Sequence, residues 1–117
     1  DLVRSRGLGD VYKRQVYCQL TAPYYGFEIS LMEACGCGVP CVAVDCEERR
    51  EVFRDAVAYV PWASPEKTGE IITKLLTDDH SRRELGNAAR SLALEYDWKR
   101  IARKLTETLG IICGENR

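Results

Sequence analysis

Apolar positions along this chain switch repeatedly between short unbroken runs and positions spaced by three and four, as buried strands alternating with one-sided helices do. Val16-Tyr17-Cys18-Gln19-Leu20 is the first short run, closed by Thr21, Ala22 and Pro23, and it predicts a strand over 16–20. Ile29, Leu31, Met32, Ala34 and Cys35 predict a mostly apolar helix that Gly36, Gly38 and Pro40 stop. Cys41-Val42-Ala43-Val44-Asp45 predicts a second strand, and Val57-Ala58-Tyr59-Val60 a third, ended by Pro61. Between them the charged stretch 47–51, mixed in sign, reads as a solvated surface loop with a turn of helix through Phe53.

Three helices follow. Ser64-Pro65 supplies an N-cap and a proline at the first helical position, where a missing N–H costs nothing, and Ile71, Ile72, Leu75 and Leu76 form one stripe. Leu85, Ala88, Ala89, Leu92 and Tyr96 recur at helical spacing over about 79–95, leaving Arg82, Arg83, Glu84 and Arg90 for solvent. Asp97 caps a last helix bearing Trp98, Ile101, Ala102, Leu105 and Leu109. Strands alternating with helices predict an α/β fold, a Rossmann-like parallel sheet with flanking helices. In the strand order 3-2-1-4-5-6 the last three strands are neighbours, so 16–20, 41–45 and 57–60 are expected to pair in parallel in that order. With earlier strands absent, 16–20 becomes an edge prone to association with another chain.

The 117 residues hold one domain at most, and a domain this size buries about two thirds of its unfolded surface. Apolar residues make up 45% and charged residues 30%, and no apolar run approaches the roughly 20 residues of a membrane span. A net charge of −1 argues against nucleic acid as a partner. Cys18, Cys35, Cys37, Cys41, Cys46 and Cys113 are expected to be reduced, small buried hydrophobes; their spacing lacks the paired C-x2-C of zinc sites and His80 is the only histidine, so no metal is expected. The expected location is the cytoplasm, including the cytoplasmic face of the membrane.

Residues 1–15 stand apart. Gly7 and Gly9 break any helix, and four positive charges are scattered without period. The string Ser5-Arg6-Gly7-Leu8-Gly9-Asp10-Val11-Tyr12-Lys13-Arg14-Gln15 resembles a sequencing adapter translated in one frame, which implies a non-native tail over 1–15, a body over 16–113, and missing upstream sequence.

Chemistry concentrates in Tyr24-Tyr25-Gly26-Phe27-Glu28-Ile29-Ser30-Leu31-Met32-Glu33-Ala34-Cys35-Gly36-Cys37-Gly38-Val39-Pro40. A glycine turn from the carboxyl end of a strand into a helix offers unpaired N–H groups and the positive end of the helix dipole, a natural phosphate site. Glu33, more than one turn into the helix, is either a plain surface residue or an acceptor for a ribose hydroxyl.

This stretch resembles the E-G-F-G-x-P-x-x-E-A-M-A-C-G-x-P-V-V signature of the group 1, family 4 glycosyltransferases, with Gly26-Phe27, Glu33-Ala34, Cys37-Gly38 and Pro40-Cys41-Val42 matching in place. Glu51-Val52-Phe53-Arg54-Asp55-Ala56 resembles the family's P-E-V-V-x-D-G, and Asn87-Ala88-Ala89-Arg90 with Tyr96-Asp97-Trp98-Lys99-Arg100-Ile101-Ala102 its closing helices, so the likeness spans about 16–110. It implies part of the C-terminal, donor-binding domain of a two-Rossmann-domain, retaining transferase. Such an enzyme moves a sugar from a nucleotide diphosphate donor to an acceptor and needs no further cofactor.

On that resemblance Glu33 holds the ribose, and the backbone at Gly26, Phe27, Glu28 and Ile29 lies near the diphosphate. The family's first glutamate, which contacts the donor sugar, falls on Tyr25, which lacks a carboxylate. Glu28 stands where the family has glycine, and its carboxylate either takes the helix dipole and repels a diphosphate or turns away to serve the role lost at Tyr25. No catalytic residue is assigned here, the partner being the missing N-terminal domain, and the fragment alone is expected to be inactive. A non-enzymatic binding module and a sugar-nucleotide epimerase are the alternatives.

Overall fold

The computed structural model describes residues 16–22 and 28–115. Three strands, β1 (Tyr17–Gln19), β2 (Cys41–Val44) and β3 (Ala58–Val60), form one sheet in the order β1-β2-β3. Both pairs are parallel, with Cys18 opposite Val42 and Val42 opposite Ala58, as the apolar pattern predicts. The strands are each shorter than the apolar runs that announce them.

The helices are α1 (Ile29–Gly36), α2 (Glu47–Phe53), α3 (Pro65–Thr77), α4 (Asp79–Glu95) and α5 (Trp98–Glu115), with a 3-10 turn over Arg54–Ala56. Because successive strand residues face opposite ways, β2 divides two cores. Cys41 and Ala43 enter a cluster with Leu31, Ala34, Cys35, Phe53, Ala89 and Leu92 from α1, α2 and α4. Val42 and Val44 face Val60 and Leu75 on the other side, where Ile71, Ile72 and Leu85 cover them. All four β2 residues are buried, whereas Cys18 of β1 is exposed and β1 is an edge of the sheet among the described residues.

The turn from α1 to β2 is closed by two backbone bonds, Gly38 N–H to the Cys35 carbonyl (3.0 Å) and Val39 N–H to the Ala34 carbonyl (3.2 Å). This reversal needs a left-handed residue after the cap, and Gly38 supplies it at φ 74°. The helix stop read from Gly38 therefore has a specific geometry.

Two helix starts differ in how they are satisfied. Ser64 stands before Pro65 but its hydroxyl caps nothing; its carbonyl instead accepts from the Thr68 N–H and hydroxyl. At α4 the Asp78 carboxylate accepts from the His80 and Ser81 N–H groups and from the Ser81 hydroxyl (2.7 Å). The Ser81 hydroxyl above all holds the Asp78 carboxyl below its ordinary value of 3.8. A depressed carboxyl contributes stability that is present above its unfolded value and lost as pH falls through the folded one. Asp78→Ala should lower the melting temperature by a few degrees near neutral pH, and the deficit should vanish in acid below the folded value; a deficit that persists there would assign it to something other than the charged cap.

α5 departs from expectation. Asp97 does cap it through the Lys99 N–H (2.8 Å), but Leu105, Leu109, Ile111 and Ile112 are all more than half exposed. The apolar stripe of the helix is therefore left largely uncovered among the described residues.

Candidate functional site

The carboxyl ends of β1 and β2 and the amino end of α1 meet at one place, and a single side chain joins them. Arg49 of α2 is 3% exposed. Its Nε donates to Glu28 Oε2 (2.9 Å) and its Nη2 to Glu28 Oε1 (2.7 Å), the two-pronged geometry that makes arginine–carboxylate pairs strong. The same guanidinium donates to the Thr21 carbonyl after β1 (3.2 Å) and to the Val44 carbonyl at the end of β2 (2.9 Å). Taking two charges out of water is expensive, and these additional bonds are what make the burial tolerable.

The stretch 47–51 is thus corrected from a solvated loop to the start of a helix with one inward cation. Helical spacing explains it: Arg49, Val52 and Phe53 fall on one face of α2, and Phe53 is 2% exposed. Glu47 and Glu48 remain outward at the amino end, where the dipole favours them.

Glu28 is the N-cap of α1, yet its side chain makes no cap bond because Arg49 takes both oxygens. Its carboxylate turns inward onto Arg49 and away from the helix start. Among the described residues no side chain caps the first turn of α1, and that turn contains no acidic residue. Ile29 opens the helix and is 64% exposed. One turn on, Glu33 is exposed and lines a hollow of about 800 Å³ with Ile29, Met32, Gly36, Ala93, Tyr96 and Ile101. Glu28, Ile29 and Glu33 thus lie on one short helix, while Tyr25, Gly26 and Phe27 lie outside the described residues.

Beside this corner Arg50 pairs with Asp45 (2.5 and 2.9 Å) and stacks over the Tyr59 ring at 4.5 Å. The Arg50 guanidinium holds the Asp45 carboxyl below its ordinary value. Burial pushes the Tyr59 hydroxyl up to about 12, and that hydroxyl donates to the Arg54 carbonyl (2.7 Å). Cys35 and Cys41 bring their sulfurs to 3.8 Å in the core, and the Cys41 thiol also lies 3.1 Å from the Val39 carbonyl. Hydrogen bonding to Cys35 and burial hold the Cys41 thiol well above its ordinary range. Cys18 and Cys113 are exposed, so the thiols are not uniformly core residues. Among the described residues no three His, Cys, Asp or Glu side chains group as metal ligands do. No helix of the described residues is long and apolar enough to cross a membrane.

A three-stranded parallel sheet flanked by helices defines a Rossmann-like class of fold. The chain belongs to the glycosyl transferases group 1 family, whose model matches residues 8–92. That match begins inside the segment 1–15, which itself lies outside the described residues. In structure the chain resembles a sucrose-phosphate synthase from Thermosynechococcus elongatus, with a TM-score of 0.73 and 20% identity over 97% of this chain. It spans 33% of that protein's length. No curated protein sequence matches. The Rossmann-like architecture read from the sequence is the one observed.

Proposed function

We propose that this chain is the donor-binding part of a retaining glycosyltransferase, seating the nucleoside diphosphate of a sugar donor at the amino end of α1. The observation that carries this reading is the first turn of α1, left without a side-chain cap among the described residues, in a chain of the group 1 family and at the carboxyl edge of a parallel sheet. Arg49 answers the electrostatic objection raised by Glu28. A lone carboxylate there would repel a diphosphate, whereas a buried, two-pronged ion pair presents little net charge. The diphosphate would approach the backbone around Glu28 and Ile29, with Gly26 and Phe27 contributing as the family signature implies. Glu33 sits four residues beyond Ile29, about 6 Å along the axis, which suits a ribose attached to that diphosphate. The donor sugar and acceptor are to be supplied with residues of a further, N-terminal domain, and the protein acts in the cytoplasm.

Titration of the chain with UDP, GDP and ADP by calorimetry tests this. One of them should bind, and Glu33→Gln should weaken it about tenfold, the scale of one lost charge-assisted hydrogen bond. Equal affinity in the variant would remove Glu33 from the site. A second reading, a module that holds the donor without transferring its sugar, is favoured by Tyr25 standing where the family signature has its first glutamate.

A further inference from the structure

Among the described residues Arg49 is the one buried cation beside this site, and it belongs to none of the motifs that mark the site in sequence. Its partners come from three separate elements: Thr21 just after β1, Val44 at the end of β2, and Glu28 at the start of α1. Thr21 is held twice, through its carbonyl and its hydroxyl, both at 3.2 Å from Nη2. α1 is short, and among the described residues no side-chain cap orients its amino end. The guanidinium is a rigid planar fork, so it sets the angle as well as the distance between the groups it binds.

We propose that Arg49 is a positioning residue for the donor: through Glu28 it fixes the direction in which the first-turn N–H groups of α1 point, without touching the ligand itself. The proposal rests on the donor reading above. A helix mouth binds phosphate only if its N–H groups converge where the oxygens lie, and a misplacement of about 1 Å is enough to weaken such an arrangement strongly. Glu28 is thereby a structural anchor for the site as well as a contributor of backbone. Its carboxylate and Arg49 form a buried pair at the position where the related signature has glycine.

The test separates positioning from mere stability. Arg49→Lys keeps the charge but has no planar fork, and Glu28→Leu combined with Arg49→Leu removes both charges and refills the volume with apolar atoms. Each is titrated with the nucleoside diphosphate that the unaltered chain binds, below its own melting transition, and amide hydrogen exchange is followed over residues 29–33. We expect Arg49→Lys to bind about tenfold more weakly with faster exchange in 29–33. The double variant should recover most of the melting temperature and none of the affinity. Full affinity in Arg49→Lys, or recovery of affinity together with stability in the double variant, would overturn the proposal while leaving the donor reading intact. If the unaltered chain binds none of the three nucleotides, the donor reading fails and the positioning role fails with it.

Discussion

Replacing Arg49 by leucine is expected to destabilise the folded chain by about 3–5 kcal/mol, a large share of the roughly 5–15 kcal/mol that holds a domain together. The cost does not come from losing one attraction. Glu28 would lose the donor to both its oxygens at 7% exposure, and the buried Val44 carbonyl would lose its guanidinium donor, whereas the exposed Thr21 carbonyl can turn to water. Because the penalty is that of an orphaned charge, removing both partners should cost much less than removing one. Urea denaturation of Arg49→Leu, Glu28→Leu and the double variant closes a thermodynamic cycle. A double variant as unstable as the sum of the two single ones would show that the pair is not coupled, and that Arg49 is held by its other contacts.

That pair also marks the limit of what sequence reveals. The strands at 16–20, 41–45 and 57–60 are legible because a short apolar run between turn residues has one stable use in a chain this size, and their parallel order follows from the helices between them. Gly38 and Asp97 are legible for the same local reason: a left-handed stop and an acidic cap act within a few residues of themselves. The ion pair is different in kind. Glu28 and Arg49 are 21 residues apart, and each reads locally as something else: one as a misfit in a glycine turn, the other as part of a surface charge run. Only the periodicity of Arg49 with Phe53 hinted at an inward direction. The apolar stripe of α5 misleads in the opposite sense, since amphipathic spacing states that a face can be covered and says nothing of what covers it.

Gly86 in the middle of α4 is expected to reverse the usual glycine-to-alanine rule. Alanine normally stabilises a helix interior by about 0.5–1 kcal/mol relative to glycine. A Cβ at Gly86, however, would lie 2.3 Å from the Gly38 carbonyl oxygen, far inside contact distance, with the Pro40 ring at 3.6 Å behind it. The oxygen has little freedom to retreat, because Gly38 sits at φ 74° between the two backbone bonds that close the end of α1. Relief must come from moving α4 as a body, and α4 is seated in the main core through Ala89 and Leu92. Gly86→Ala should therefore cost on the order of 3 kcal/mol, the upper range for overpacking. Gly69 in α3 is the internal control: nothing lies within 4 Å of its added Cβ, so Gly69→Ala should gain the ordinary 0.5–1 kcal/mol or so. Thermal melts of the two variants should move in opposite directions. The displacement would reach the site as well, since the turn that meets Gly86 ends the helix carrying Glu33, and nucleotide affinity should fall in Gly86→Ala but not in Gly69→Ala. Equal stability gains in both variants would mean that α4 does not rest on the Gly38 turn.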